Sequence, residues 1–62
     1  MTRRDAIWFR LAFLKTMIPV LTVTDLEVFT GLCIQILKTS DLSDVDYEIL
    51  DKLYQKFKVK IQ

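Results

Sequence analysis

The sequence predicts an all-α fold, a small three-helix domain. Three observations lead to this prediction. Hydrophobic residues recur with helical spacing in three separate segments. Two of these segments follow a Thr or Ser that precedes an acidic residue by three positions, a pattern typical of helix starts. The 62 residues contain only one glycine and one proline, so few positions break a helix. We expect one domain, 1–62, with helices over 3–18, 25–38 and 44–58.

The first helix carries more apolar surface than a surface helix needs. One apolar stripe comprises Ile7, Leu11, Leu14 and Ile18. A second stripe beside it comprises Ala6, Phe9, Phe13 and Met17. Together they span an arc of roughly 200°, about twice the width that faces the core in an ordinary surface helix. Pro19 disfavours continuation of the helix. We therefore expect one stripe to face the core and the other to face a second molecule, so that the domain associates through helix 1 into a helical dimer.

The second helix has a strong start signal at Thr24. Glu27 lies three residues after Thr24, which together predict a capping box. Gly31 lies in the middle of the helix, where glycine costs about 1 kcal/mol relative to alanine. It either permits close approach of another helix or is a tolerated surface residue. The predicted apolar face comprises Leu26, Phe29, Leu32, Cys33, Ile36 and Leu37.

The third helix is predicted to begin after Ser43, with Asp46 at the third helical position. The conformation at the end of this helix is not predicted, because the segment 56–62 (KFKVKIQ) alternates charged and apolar residues. A helix end, a short strand and disorder all remain compatible with that alternation. The predicted apolar face comprises Ile49, Leu50, Leu53, Tyr54 and Phe57, with Ile61 at its edge.

The composition argues against catalysis, against a bound metal or cofactor, and against a disulfide within the chain. Cys33 is the sole cysteine, so no disulfide can form within the chain. The chain has no histidine, so the usual base near neutral pH and the commonest metal ligand are both absent. One glycine cannot form a glycine-rich phosphate loop. We expect no catalytic residues, no metal and no cofactor, and therefore not an enzyme.

Arg10 and Lys15 interrupt the most apolar segment, which argues against a signal peptide and against a membrane-spanning helix. The single thiol fits a reducing compartment. We therefore expect a cytoplasmic location.

A chain of this length buries only about 60% of its unfolded surface, yet 52% of its residues are hydrophobic. This surplus favours a small protein-interaction or regulatory protein that docks an apolar helix face on a protein partner or on a second copy. We expect Arg10 to pair with a carboxylate such as Asp46 or Asp51, because an unpaired buried guanidinium is costly. The predicted contact surface comprises Trp8, Phe9, Arg10, Phe13 and Met17.

Two alternative functions remain. Nucleic-acid binding would use the basic ends of the chain, since phosphate contacts need only positive charge. Acidic residues at the start of the third helix oppose a helix-turn-helix mode of binding. A peripheral membrane role would use the aromatic residues of the first helix. The nucleic-acid contacts would be Arg3, Arg4, Lys56, Lys58 and Lys60.

Overall fold

The three predicted helices form an up-down-up bundle. In the computed structural model, which describes the backbone of residues 2–61 and the side chains of residues 2–59, α1 spans Arg3–Thr16, α2 spans Val23–Thr39 and α3 spans Asp44–Ile61. A short 3₁₀ turn, Ile18–Val20, follows α1. The described residues form no strand. The all-α three-helix fold is therefore confirmed.

The first and last helices run parallel, and two ion pairs with the same sequence separation connect them. Arg3 contacts Asp44, and Arg10 contacts Asp51. Each pair is separated by 41 positions. Parallel packing thus places the basic α1 beside the acidic first half of α3. The two helices pack more extensively with each other than either does with α2.

The core lies where the three helices meet. It is formed by one stripe of each helix and by Leu42, which lies two residues before α3. Ile7, Leu14 and Leu50 are completely buried. The remaining core residues are Leu11, Phe29, Leu32, Ile36, Leu42, Leu53 and Phe57.

Helix α1 ends earlier than predicted. Met17 caps it at Thr16, two residues before the expected end at Ile18. Pro19 occupies the start of the 3₁₀ turn, where its missing N–H and fixed φ cost nothing. Ile18 consequently leaves the predicted core stripe and is 40% exposed. At the other end, Thr2 and Asp5 form a capping box that we did not predict.

Helix α2 begins two residues before the predicted start at residue 25. The predicted cap at Thr24 is wrong, because the hydroxyl of Thr22 accepts a hydrogen bond from the Asp25 N–H over 3.1 Å. The segment 22–27 contains two overlapping cap patterns, and the helix uses the earlier one, which follows the 3₁₀ turn that contains Pro19. The helix ends at Thr39 and is capped by Ser40, which adopts left-handed backbone geometry with φ 62°.

Helix α3 starts as predicted and runs beyond its predicted end at residue 58. The Asp46 N–H donates to the Ser43 hydroxyl over 3.2 Å, which confirms the cap. The C-terminal segment is helical as far as Ile61, and Gln62 lies outside the described residues. The predicted burial of Ile61 cannot be compared, because its side chain also lies outside them.

Several residues predicted to be buried are exposed. Leu37 is 77% exposed, and Leu26 and Ile49 are 37% and 40% exposed. The core uses only the middle of each wide apolar arc, since two neighbouring helices cannot cover the whole arc. The helix-2 face is therefore narrower than predicted, and its outer edge faces solvent.

Candidate interaction groove between the first two helices

An apolar groove lies between α1 and α2, where helix packing is least extensive. Its volume is about 310 Å³. Only one of its lining residues is charged. Helix α1 contributes Trp8, Leu11, Ala12 and Lys15. Helix α2 contributes Phe29, Cys33, Ile36 and Leu37.

The groove has a buried floor and an exposed rim. Leu11, Phe29 and Ile36 form the floor and belong to the core. Trp8 is 49% exposed and Leu37 is 77% exposed, one on each side of the groove. The rim therefore presents a large aromatic and an aliphatic side chain to any molecule that enters.

A second recess adjoins the groove at its Trp8 end. The two depressions share Trp8, Ile36 and Leu37, and the second adds Arg4 and Ser40. This recess has a volume of about 250 Å³. Together the two depressions form a continuous trough along α1 that begins beside Arg4 and ends beside Lys15.

The structure divides the predicted contact surface between two sides of α1. Trp8 faces the groove, whereas Phe9, Arg10 and Phe13 lie toward α3. Met17, at the end of α1, is partly buried against the core. Only Trp8 and Phe9 are exposed, so the five residues do not form one open patch.

The aromatic side chains on the α3 side contact Tyr54. The Phe13 and Tyr54 ring centroids lie 5.1 Å apart in an edge-to-face arrangement. Phe9 approaches the same ring less closely, at 6.1 Å, and is 55% exposed. Phe13 therefore packs within its own chain.

Arg10 lies at the interface of α1 and α3. Its Nε donates to Asp51 Oδ1 over 3.0 Å, which confirms one of the two predicted pairings. Its Nη1 donates to the Ala6 carbonyl over 3.1 Å. The guanidinium carbon lies 5.2 Å from the ring centroid of Tyr54. These contacts hold the charge within the chain.

The basic residues considered for nucleic-acid binding are not brought together. Arg3 and Arg4 lie at the start of α1, beside the start of α3. Lys56 and Lys58 lie near the opposite end of the parallel α3 helix. Twelve or more helical residues separate the two groups, which corresponds to roughly 18 Å. The side chain of Lys60 lies outside the described residues.

Two of these basic residues are paired with carboxylates. Arg3 contacts Asp44 Oδ1 over 2.8 Å, and this hydrogen bond is the main cause that raises the pKa of Arg3. Lys56 contacts Asp25 Oδ2 over 2.8 Å, which joins the end of α3 to the start of α2. Their positive charge is therefore offset by the chain's own acids.

Arg4 and Lys15 differ from these paired cations. Both are exposed, and neither lies within 4 Å of a carboxylate in the part of the chain that the structure describes. Arg4 lines the recess at one end of the trough, and Lys15 lines the groove at the other. The groove is therefore almost wholly apolar, the recess has a mixed polar and apolar lining, and a cation lies at each end of the trough.

Cys33 lies in the wall of the groove. Its side chain is partly buried, and this burial raises the pKa of the thiol by disfavouring the thiolate. The structure thus places the cysteine where a bound molecule would cover it. Between residues 2 and 59, no three Cys, Asp or Glu side chains converge in a way that would hold a metal ion.

Sequence reasoning missed most of this groove. Leu37 is predicted to belong to the apolar face of α2, and neither predicted stripe of α1 contains Ala12 or Lys15. The available signal was the width of the apolar arc on α2, which exceeds what two neighbouring helices can cover.

Among the described helices, none is long and apolar enough to cross a membrane.

No family model, curated protein or solved structure matches this chain.

Proposed function

We propose that this chain is a small, non-enzymatic protein-interaction or regulatory protein that docks the apolar α1 surface on another protein or on a second copy. The observation that supports this proposal is the open groove between α1 and α2. Trp8 and Leu37 expose large apolar areas on either side of it. Aromatic side chains are enriched at protein interfaces, and exposed apolar patches commonly mark them.

Nucleic-acid binding has less support. The predicted basic contacts lie at two ends of the bundle, and Arg3 and Lys56 are already paired with carboxylates. A protein of this kind needs several phosphate contacts on one face, because each contributes separately to affinity. The groove is lined almost entirely by apolar groups, which suits a protein surface better than a phosphate backbone.

Leu37→Glu tests the proposal with little risk to the fold. Leu37 is 77% exposed, so a glutamate there remains hydrated and the helix persists. Val59→Glu is the matched control, because Val59 is 66% exposed on α3, away from the groove. Circular dichroism establishes that both variants retain their helices.

Light scattering and affinity capture then compare the two variants with the wild type. If the groove mediates self-association, Leu37→Glu yields a monomer and Val59→Glu does not. If it binds a different protein, that protein is retained by the wild type and Val59→Glu but lost from Leu37→Glu. Identical behaviour of all three chains in both measurements would contradict the proposal.

A further inference from the structure

We infer that the trough binds an amphipathic helix of a different protein, with an apolar face flanked at both ends by acidic residues. The inference rests on the proposed function and names the class of partner. It is carried by the distribution of charge around the groove together with its shape.

Four cations pair with carboxylates of the described residues, whereas the two beside the trough do not. Lys38 and Lys58 also lack such a pair, but they line neither depression. Arg3 and Arg10 of α1 pair with Asp44 and Asp51 of α3. Within α3, Lys52 pairs with Glu48. Lys56 pairs with Asp25 of α2. Arg4 and Lys15 have no such partner among the described residues, and both line the trough. Negative charge is therefore the complement that this surface lacks.

The spacing of the two cations defines the partner's pattern. Arg4 and Lys15 are eleven residues apart on one helix, which corresponds to roughly 16 Å along its axis. A helix lying along the trough would meet them with acidic residues about three turns apart. Between those acids, apolar residues at i, i+3 or i+4, and i+7 would face the groove.

The shape of the surface favours a helix over a membrane. The groove floor is formed by core residues, with Leu11 only 4% and Ile36 only 3% exposed. A bilayer surface would reach the rim but would not fill the depression between the helices. A helix inserts side chains into such a groove.

The partner is a different protein, because no helix of this chain has the required pattern. The acids of α2 are Asp25 and Glu27, both at its start. The acids of α3 end at Asp51, and its second half carries lysines. Each of these helices could satisfy one end of the trough only.

Selection from a displayed library of helices tests the inference. The library displays helical peptides of about 16 residues, roughly 24 Å long, with one face randomised. We expect the selected peptides to carry apolar residues in the middle and Asp or Glu at both ends. Trp8 is the only tryptophan, so its emission should shift to shorter wavelength when a peptide covers it.

Charge reversal provides the matched control. In Arg4→Glu/Lys15→Glu, acidic peptides should bind about tenfold more weakly at low salt, because two favourable contacts become repulsive. Lysine-ended versions of the same peptides should bind this variant better than they bind the wild type. Lys52→Glu/Lys58→Glu changes the net charge equally on α3 and should affect binding less. High salt should reduce these differences.

Each other outcome overturns the inference. Selected helices with apolar faces but no acidic ends would remove the acidic partner and leave the proposed function standing. Absence of any selected helix, with Leu37→Glu still altering association, would do the same. Binding to vesicles of anionic lipid, with no helix selected, would show that the trough side binds a membrane surface and not a helix. Failure of both the selection and the Leu37→Glu test would remove the proposed function as well.

Discussion

Arg10 and Asp51 form the ion pair that joins the middle of α1 to α3. The Nε of Arg10 lies 3.0 Å from Asp51 Oδ1, and the Arg10 side chain is only 20% exposed. The same guanidinium also donates to the Ala6 carbonyl. The pair is thus less hydrated than the Glu48–Lys52 pair, whose two side chains are largely exposed.

A double-mutant cycle on this pair should measure a coupling free energy of about 1 kcal/mol, at the upper end of the range for accessible ion pairs. The variants are Arg10→Met, Asp51→Asn and their combination, compared by urea denaturation. The same cycle on Glu48 and Lys52 serves as the control and should give about 0.3 kcal/mol. Equal coupling in both cycles would contradict the importance of burial at Arg10.

Phe13 and Phe9 should differ in their contribution to stability. Phe13 packs edge-on against Tyr54 at 5.1 Å, and Phe9 is 55% exposed at 6.1 Å from the same ring. We expect Phe13→Ala to lower the free energy of unfolding by about 2 kcal/mol or more. Phe9→Ala should lower it by less than about 1 kcal/mol. A larger loss for Phe9→Ala, measured by urea denaturation, would show that this packing is incorrect.

Gly31→Ala should raise the free energy of unfolding by about 1 kcal/mol, because alanine favours the helix and glycine does not. A Cβ at this position meets nothing within 4 Å. Gly31→Ser should fall between glycine and alanine in thermal denaturation. If alanine instead lowers stability as the protein concentration rises, another molecule approaches α2 closely at this residue.

The Cys33 thiol should take part in disulfide exchange only at a higher pH in the folded protein than in the unfolded protein. Burial raises its pKa, so less thiolate is present in the folded chain at a given pH. The rate of disulfide exchange against pH measures this, and in denaturant the profile should return to that of a free cysteine, near 8.5. Matching profiles in the folded and denatured protein would contradict the burial.

The same shift predicts that stability falls on the alkaline side. The unfolded thiol ionises at lower pH than the folded one, so the contribution of Cys33 is present below the unfolded pKa. It is lost as pH rises through the folded pKa. Cys33→Ala should remove this part of the pH dependence, as measured by urea denaturation between neutral and alkaline pH.

Local patterns predicted the helices and most of the core. The spacing of Ile7, Leu11 and Leu14 identified the buried stripe of α1, and all three are buried. The Ser43 cap was also identified correctly, because its hydrogen bond depends only on residues nearby in sequence. The pairing of Arg10 with Asp51 followed from the cost of leaving a buried charge alone.

The arrangement of the helices was not predictable from these patterns. Periodicity shows that α1 and α2 have wide apolar arcs, but not which part of each arc a neighbour covers. Parallel packing of α1 on α3 directs Phe13 toward Tyr54 and leaves Trp8 and Leu37 at an open groove. The choice between the overlapping caps at Thr22 and Thr24 depended on the 3₁₀ turn before them.

The parallel contact between α1 and α3 has a consequence for folding during synthesis. The first helix packs mainly on α3, so its core partners Leu50 and Phe57 are synthesised well after it. Until α3 is synthesised, α1 and α2 expose to solvent the apolar faces that α3 covers in the folded protein. Such surfaces promote aggregation of incomplete chains. A chain that stops before Phe57 should therefore give a much lower yield of native protein than one that includes Phe57.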